Sequence, residues 1–156
     1  LINGGKQERS VRPGTENILG IVSMAAALED TVEHIDERNE YVKHLRDKLL
    51  DCLLQIPGST LNGSFENRVS GNINIQFTGV SGADLVTLCS MYHIYISAGS
   101  ACNEGEATPS HVLKAIGLTD EQALNSIRIS LSHLNTEEEI DYVSDMLPKI
   151  ISRLRQ

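Results

Sequence analysis

Apolar positions recur along this chain with two different periods. Residues 1–14 (LINGGKQERSVRPG) show neither period and read as a loop. From there Ile18, Leu19, Val22, Ala25, Ala26 and Leu28 follow helical spacing, with Thr15 placed to cap the N-terminus. Helical spacing continues over residues 32–56 through Ile35, Val42, Leu45, Leu49 and Leu53, until Pro57-Gly58 stops it. So long a run implies a break, expected between Thr31 and Ile35. The period then shortens. In Val69–Phe77 the residues Val69, Ile73, Ile75 and Phe77 share one face, as in a strand half covered by a core. Ser81 and Asp84 are spaced to open a short helix through Leu85, Leu88 and Cys89. A second strand is expected over His93–Ser97. After a polar loop, a helix should start at Pro109, following Thr108, and end at Gly117. Ser126–Leu131 alternates as a third strand. Thr136-Glu137-Glu138-Glu139 is a capping box for a last helix running towards Arg155, with Pro148 inside it predicting a kink or local break. Helices alternating with short strands make a small α/β layer structure.

Composition narrows the class. The 156 residues are 40% hydrophobic and 22% charged, enough for one core without disulfide or metal staples. A formal net charge of −8 argues against a nucleic-acid partner, whose affinity comes from clustered Lys and Arg. No run approaches the ~20 apolar residues of a membrane span, and the polar start does not read as a signal peptide. Three cysteines without a CxxC pair suit a reducing compartment, so a soluble cytoplasmic protein is expected. No Cys/His set has metal-ligand spacing, and no metal site is expected. The opening on Leu1, without Met, suggests the later portion of a longer protein.

Candidate chemistry gathers in Ser97–His111 (SAGSACNEGEATPSH), a segment of small residues between a strand end and a helix start. Such a loop is expected to be exposed and mobile, and a thiol there is unusual, because free cysteines are ordinarily buried. Cys52 and Cys89, set among leucines, are expected in the core. Cys102 is the candidate nucleophile. His111 is near it in sequence, although a histidine in a first helical turn is more simply a surface residue. Arg128 lies between Ile127 and Ile129, which places it on the opposite face from the apolar residues. It can offer a bidentate fork to a carboxylate or sit in a surface ion pair. Thr15 stands at a helix start, where free N–H groups suit a phosphate.

SAGSAC followed by TPSHVLKAIGL, then SIRISL and TEEEIDYV, resembles the C-terminal part of cysteine desulfurases, and the opening GGKQERSVRPGTEN is similar to the segment that follows their cofactor lysine. These are pyridoxal-phosphate enzymes of the class V aminotransferase family. The resemblance spans nearly the whole chain. It implies the small C-terminal lobe of a fold-type-I pyridoxal-phosphate transferase, with a short, mainly antiparallel sheet flanked by helices and a long helical segment on its N-terminal side. On that basis residues 1–14 belong to a large domain, 15–56 form a helical connector, and 57–156 form the small domain.

The resemblance also implies roles. Cys102 takes sulfur from L-cysteine as a persulfide, leaving L-alanine, and passes it to iron–sulfur cluster or thiocofactor assembly through an acceptor or scaffold protein. Arg128 holds the substrate's α-carboxylate. Thr15 reaches across a homodimer to the phosphate of the neighbouring subunit's cofactor. Glu104 and Glu106 depart from the small or hydroxyl residues usual after this cysteine, and nearby carboxylates disfavour a thiolate. The five lysines, Lys6, Lys43, Lys48, Lys114 and Lys149, do not match the context of the cofactor lysine, so the chain alone is expected to be inactive. Three rivals remain open: a sulfur carrier or interaction module without chemistry of its own, a selenocysteine lyase-like class V member, and a cofactor-free hydrolase using Cys102 and His111.

Overall fold

A computed structural model describes residues 3–99 and 108–156. The chain divides into two compact units, one through Asp36 and one over Glu37–Gln156.

In the first unit, α1 (Gln7–Ser10) is a single turn in which Glu8, Arg9 and Ser10 take left-handed φ values of 48°, 56° and 67°. Helix α2 (Ile18–Glu33) follows and buries none of its residues. Ile18, Leu19, Val22, Met24, Leu28 and Val32 are all exposed. Its cap differs from the expectation. Asn17, not Thr15, is the N-cap, its Oδ1 accepting from Gly20 N at 3.0 Å. Asn17 sits where its side chain can reach the third helical N–H, while Thr15 lies two residues too early. The expected break falls at His34, whose φ of −113° ends α2 before α3 (Ile35–Leu54) begins.

The second unit is built on a four-stranded, wholly antiparallel sheet in the order β1-β2-β4-β3: β1 (Ser59–Leu61), β2 (Asn72–Phe77), β3 (Ser97–Ala98) and β4 (Ser126–Ser130). Because directly opposed residues in a ladder share a face, the register Ile73↔Ile129 and Ile75↔Ile127 assembles an apolar face, completed by Phe77. These side chains are buried together with Leu45, Leu49 and Leu53 of α3, Leu85 and Cys89 of α4 (Gly82–Ser90), and Ile140, Leu147 and Ile151 of α7 (Glu137–Leu154). The stripe on α3 explains a correction: Cys52 is exposed, since position 52 falls off the face that carries Leu45, Leu49 and Leu53, whereas Cys89 is buried.

Several caps form as the spacing predicts. Ser81 Oγ accepts from Asp84 N, and Thr136 with Glu139 closes the capping box of α7. Others differ. The second strand is confined to Ser97–Ala98, since His93 adopts a left-handed φ of 59°. Pro109 precedes the helix start, because Ser110 caps α5 (His111–Ala115). β1 and α6 (Asp120–Leu124) are too short to show a period in the sequence. α7 is continuous through Pro148. The proline removes one backbone donor, but the buried face of Leu147, Ile150 and Ile151 holds the helix on the sheet.

Gly71 shows how tightly α3 and the sheet meet. A β-carbon at this position would collide with the Leu131 carbonyl oxygen and lie 2.9 Å from Val42 Cγ1. The same turn carries the Leu131 N–H to Gly71 O bond at 2.8 Å. Gly71→Ala is therefore expected to lower unfolding stability by about 1–3 kcal/mol, measurable by urea denaturation.

Candidate active site

The face of the sheet opposite the core is polar throughout. Asn72, Asn74 and Gln76 of β2 oppose Ser130, Arg128 and Ser126 of β4, and Ser97 of β3 opposes Arg128 from the other side. Arg128 is exposed at the centre of this face, flanked by Asn74 and Ser97, while Ile127 and Ile129 are buried behind it. Among the described residues no carboxylate pairs with its guanidinium.

Cys102 lies outside the described residues, as do Glu104 and Glu106, but Gly99 and Thr108 on either side are described. Gly99, with a φ of 63°, directly follows β3, and a β-carbon there would lie 3.8 Å from the Thr108 carbonyl oxygen. Gly99 and Thr108 thus stand close together, beside the edge strand that borders Arg128. His111 is exposed in the first turn of α5. Burial pushes the Cys89 thiol up to about 11, which leaves it protonated and unreactive at neutral pH.

A polar network that the periodicity did not reveal stands beside Arg128. Asn62, only 6% exposed, donates through Nδ2 to Asn74 Oδ1 at 2.7 Å and to Ser126 Oγ at 2.9 Å, and Ser126 Oγ donates to the Gln122 carbonyl at 2.6 Å. Arg68 staples the turn that carries Asn62, donating to the carbonyls of Asn62, Ser64 and Asn72 at 2.6, 2.7 and 3.2 Å. Burial lowers the Arg68 pKa, with the nearby Arg46 charge adding to the effect. Gln76 Oε1 is buried with no partner among the described residues. The signal in the sequence was Asn74 itself, since asparagine is depleted in strands. A recess of about 470 Å³ near the start of α7 is lined by Leu49, Ile94, Ile129, Ile140 and Val143. It opens on the apolar side of the sheet, away from Arg128.

The Aminotransferase class-V family model matches residues 4–143. The chain belongs to the class V aminotransferase family. Among relatives of this family, it is 43% identical over 155 residues to a cysteine desulfurase IscS of Methanosarcina thermophila, covering 99% of this chain and 38% of the relative. It is 44% identical over 159 residues to a cysteine desulfurase IscS of Clostridium botulinum, covering 100% and 40%. Of solved structures, a NifS-like protein superposes with a TM-score of 0.85 at 37% identity, covering 98% of this chain and 39% of that one. A NifS-like protein from Rickettsia africae gives 0.84 at 30%, covering 97% and 39%. The chain therefore spans about two-fifths of the length of the relatives it matches.

Class V aminotransferases imply pyridoxal phosphate, and among the described residues Thr15 suits its phosphate. The exposed Thr15 hydroxyl precedes the 16-residue α2, beside a turn in which Gly14 takes a φ of 100° and Arg12 Nη1 donates to the Gly14 carbonyl at 3.1 Å. Such a hydroxyl near a helix start suits a phosphate. Arg128 suits a carboxylate. An amine for the cofactor's aldehyde is a different matter. Lys48 is paired with Glu137 and Asp141, Lys114 with Asp120, and Lys149 with Asp145. The Lys48 pKa is raised by its bonds to Asp141 and then Glu137, which keeps it an ammonium. Among the described residues no group of His, Cys, Asp and Glu is arranged to hold a metal ion, and no helix is long and apolar enough to cross a membrane.

The capping box of α7 carries a pH signature. Hydrogen bonds from the Asn135 side chain and the Thr136 backbone hold the Glu139 carboxyl below its usual range. A carboxylate depressed by folding contributes stability above its unfolded pKa, and loses it as pH falls through its folded value. Glu139→Gln should therefore make thermal stability less sensitive to acidification below the ordinary glutamate range, read from melting curves at stepped pH. Thr136→Ala should cost about 1 kcal/mol at neutral pH.

Proposed function

We propose that this chain is the C-terminal part of a cysteine desulfurase whose sulfur-carrying atom is Cys102 Sγ. The observation that carries this reading is the Ser97↔Arg128 pairing, which sets a guanidinium with no carboxylate partner among the described residues beside the strand that precedes the cysteine segment, in a chain 43% identical to a desulfurase.

Arg128 binds the α-carboxylate of L-cysteine through its planar fork and so orients the substrate. Pyridoxal phosphate, when bound, supplies the electron withdrawal that lets the substrate's carbon–sulfur bond break. The Cys102 thiolate attacks the substrate sulfur, a sulfur–sulfur bond forms, and the carbon–sulfur electron pair ends as a new C–H bond in L-alanine. One thiol and one cysteine thereby become one persulfide and one alanine, with the carbon reduced and the sulfur oxidised. The persulfide then passes its outer sulfur to the thiolate of an acceptor or scaffold protein. Thr15 holds the phosphate end of the cofactor across a homodimer. The cofactor amine comes from outside this chain, so the chain alone does not release alanine.

The test is to supply L-cysteine and pyridoxal phosphate to the protein that carries this chain together with the large-domain portion present in its relatives. Alanine release and a sulfur-atom mass increase on the Cys102 peptide are expected. If the chain alone takes up sulfur from a persulfide donor, and the longer protein releases no alanine, a sulfur carrier replaces the enzyme. Preferential turnover of selenocysteine would reassign the substrate.

A further inference from the structure

The hydrogen bonds around Asn62 have a direction that can be followed from group to group. Ser126 Oγ lies 2.6 Å from the Gln122 carbonyl oxygen, which can only accept, so the hydroxyl proton is committed there. Ser126 Oγ is left as an acceptor, and the Asn62 atom 2.9 Å from it must be the amide nitrogen. That nitrogen also lies 2.7 Å from the Asn74 side chain, and because it donates, the facing Asn74 atom must be the oxygen. Neighbouring chemistry thus settles two amide orientations that the shape of an asparagine leaves ambiguous. Asn62 has little freedom to turn. Its backbone N–H donates to Asn74 O at 2.8 Å, and its own carbonyl accepts from Arg68 at 2.6 Å.

The consequence falls on Asn74. With its oxygen committed to Asn62, its NH2 group is left as a donor, and among the described residues nothing accepts from it. The register sets Asn74 directly opposite Arg128 on the same face, with β-carbons about 5 Å apart in such pairs. Two donor groups therefore stand side by side on the polar face with no described acceptor for either. Their complement is a planar anion with two acceptor oxygens.

We propose that Asn74 and Arg128 together bind the substrate carboxylate, and that Asn62 is the positioning residue that keeps the Asn74 amide turned donor-outward. This rests on the assignment of Arg128 above and adds a second donor, which favours a carboxylate over its neutral amide. The chain carries its own core over Glu37–Gln156, so the test can use the chain itself, titrated with L-alanine and, for comparison, L-alaninamide. The Asn74 side-chain amide and Arg128 Nε–H resonances should shift saturably with L-alanine and stay fixed with L-alaninamide.

Asn74→Ala and Asn74→Asp should each weaken L-alanine binding about tenfold or more, the scale of one lost hydrogen bond to a charge. Asn62→Ala should weaken it less, and combined with Asn74→Ala should add nothing further. That non-additivity would not follow from a merely structural role. If the Asn74 amide stays fixed, or its variants bind as tightly as the parent, while Arg128→Ala loses binding, the second donor is overturned and Arg128 stands. If Arg128→Ala binds L-alanine as the parent does, or neither resonance moves, both assignments fall.

Discussion

Cys102→Ser, in the protein that carries this chain with its large-domain portion, should lower alanine release from L-cysteine by roughly 10³-fold or more. The substitution changes one atom and little volume. A serine hydroxyl is not ionised at neutral pH, whereas a thiol is partly thiolate and intrinsically far more nucleophilic. Binding should survive, so the loss falls on kcat while KM changes little. Steady-state alanine assays give both constants, and the sulfur-atom mass increase on the Cys102 peptide should vanish. Cys89→Ser and Cys52→Ser act as controls. The first thiol is buried and held protonated, the second is exposed on α3, and neither should abolish turnover. Retention of near-parent activity by Cys102→Ser would remove the thiol from the mechanism.

Arg128→Ala should lower kcat/KM for L-cysteine by about 10²-fold or more, because truncating one partner of a hydrogen-bonded charge pair costs about 2–5 kcal/mol. Arg128 is exposed at the centre of β4, with Ile127 and Ile129 holding the strand to the core. The variant should therefore fold, and its melting temperature should stay close to the parent's. Arg128→Lys should recover part of the loss, since it restores charge without the planar fork. Cysteamine, which lacks the carboxylate, should be as poor a substrate for the parent as for Arg128→Ala. An unchanged kcat/KM for Arg128→Ala would leave the fork without a substrate role.

Elements with a long or strict period were readable from the sequence: the two helical stretches that part near His34, the alternation around Arg128, and the Thr136 capping box. Each is local, so the physics that shapes it lies in adjacent residues. β1 and α6 span too few residues to show a period, and they exist because β2 and the start of β4 give them partners. The cap of α2 moved from Thr15 to Asn17 because both residue types cap well and only backbone geometry chooses between them. Cys52 is exposed although leucines surround it, because a run of leucines conceals which positions of α3 face outward. Around the site, the donor fork of Arg128 could be read from alternation. Asn62 could not be, since it lies in a turn and meets Asn74 and Ser126 only through folding.

The edge strand β3 has just two paired residues, Ser97 and Ala98, and both pair with β4 alone. Unzipping such a short margin sacrifices a couple of backbone bonds, each with a net value of about 1 kcal/mol, and leaves the β2–β4 ladder and the leucine core undisturbed. Peeling this hem would free about 3 Å of chain for every residue released, and would bare the flank of Arg128 in the same stroke. Under the roles proposed for Cys102 and Arg128, reach and substrate grip are tied to a single seam, so a substitution that strengthens it should shorten the one and tighten the other.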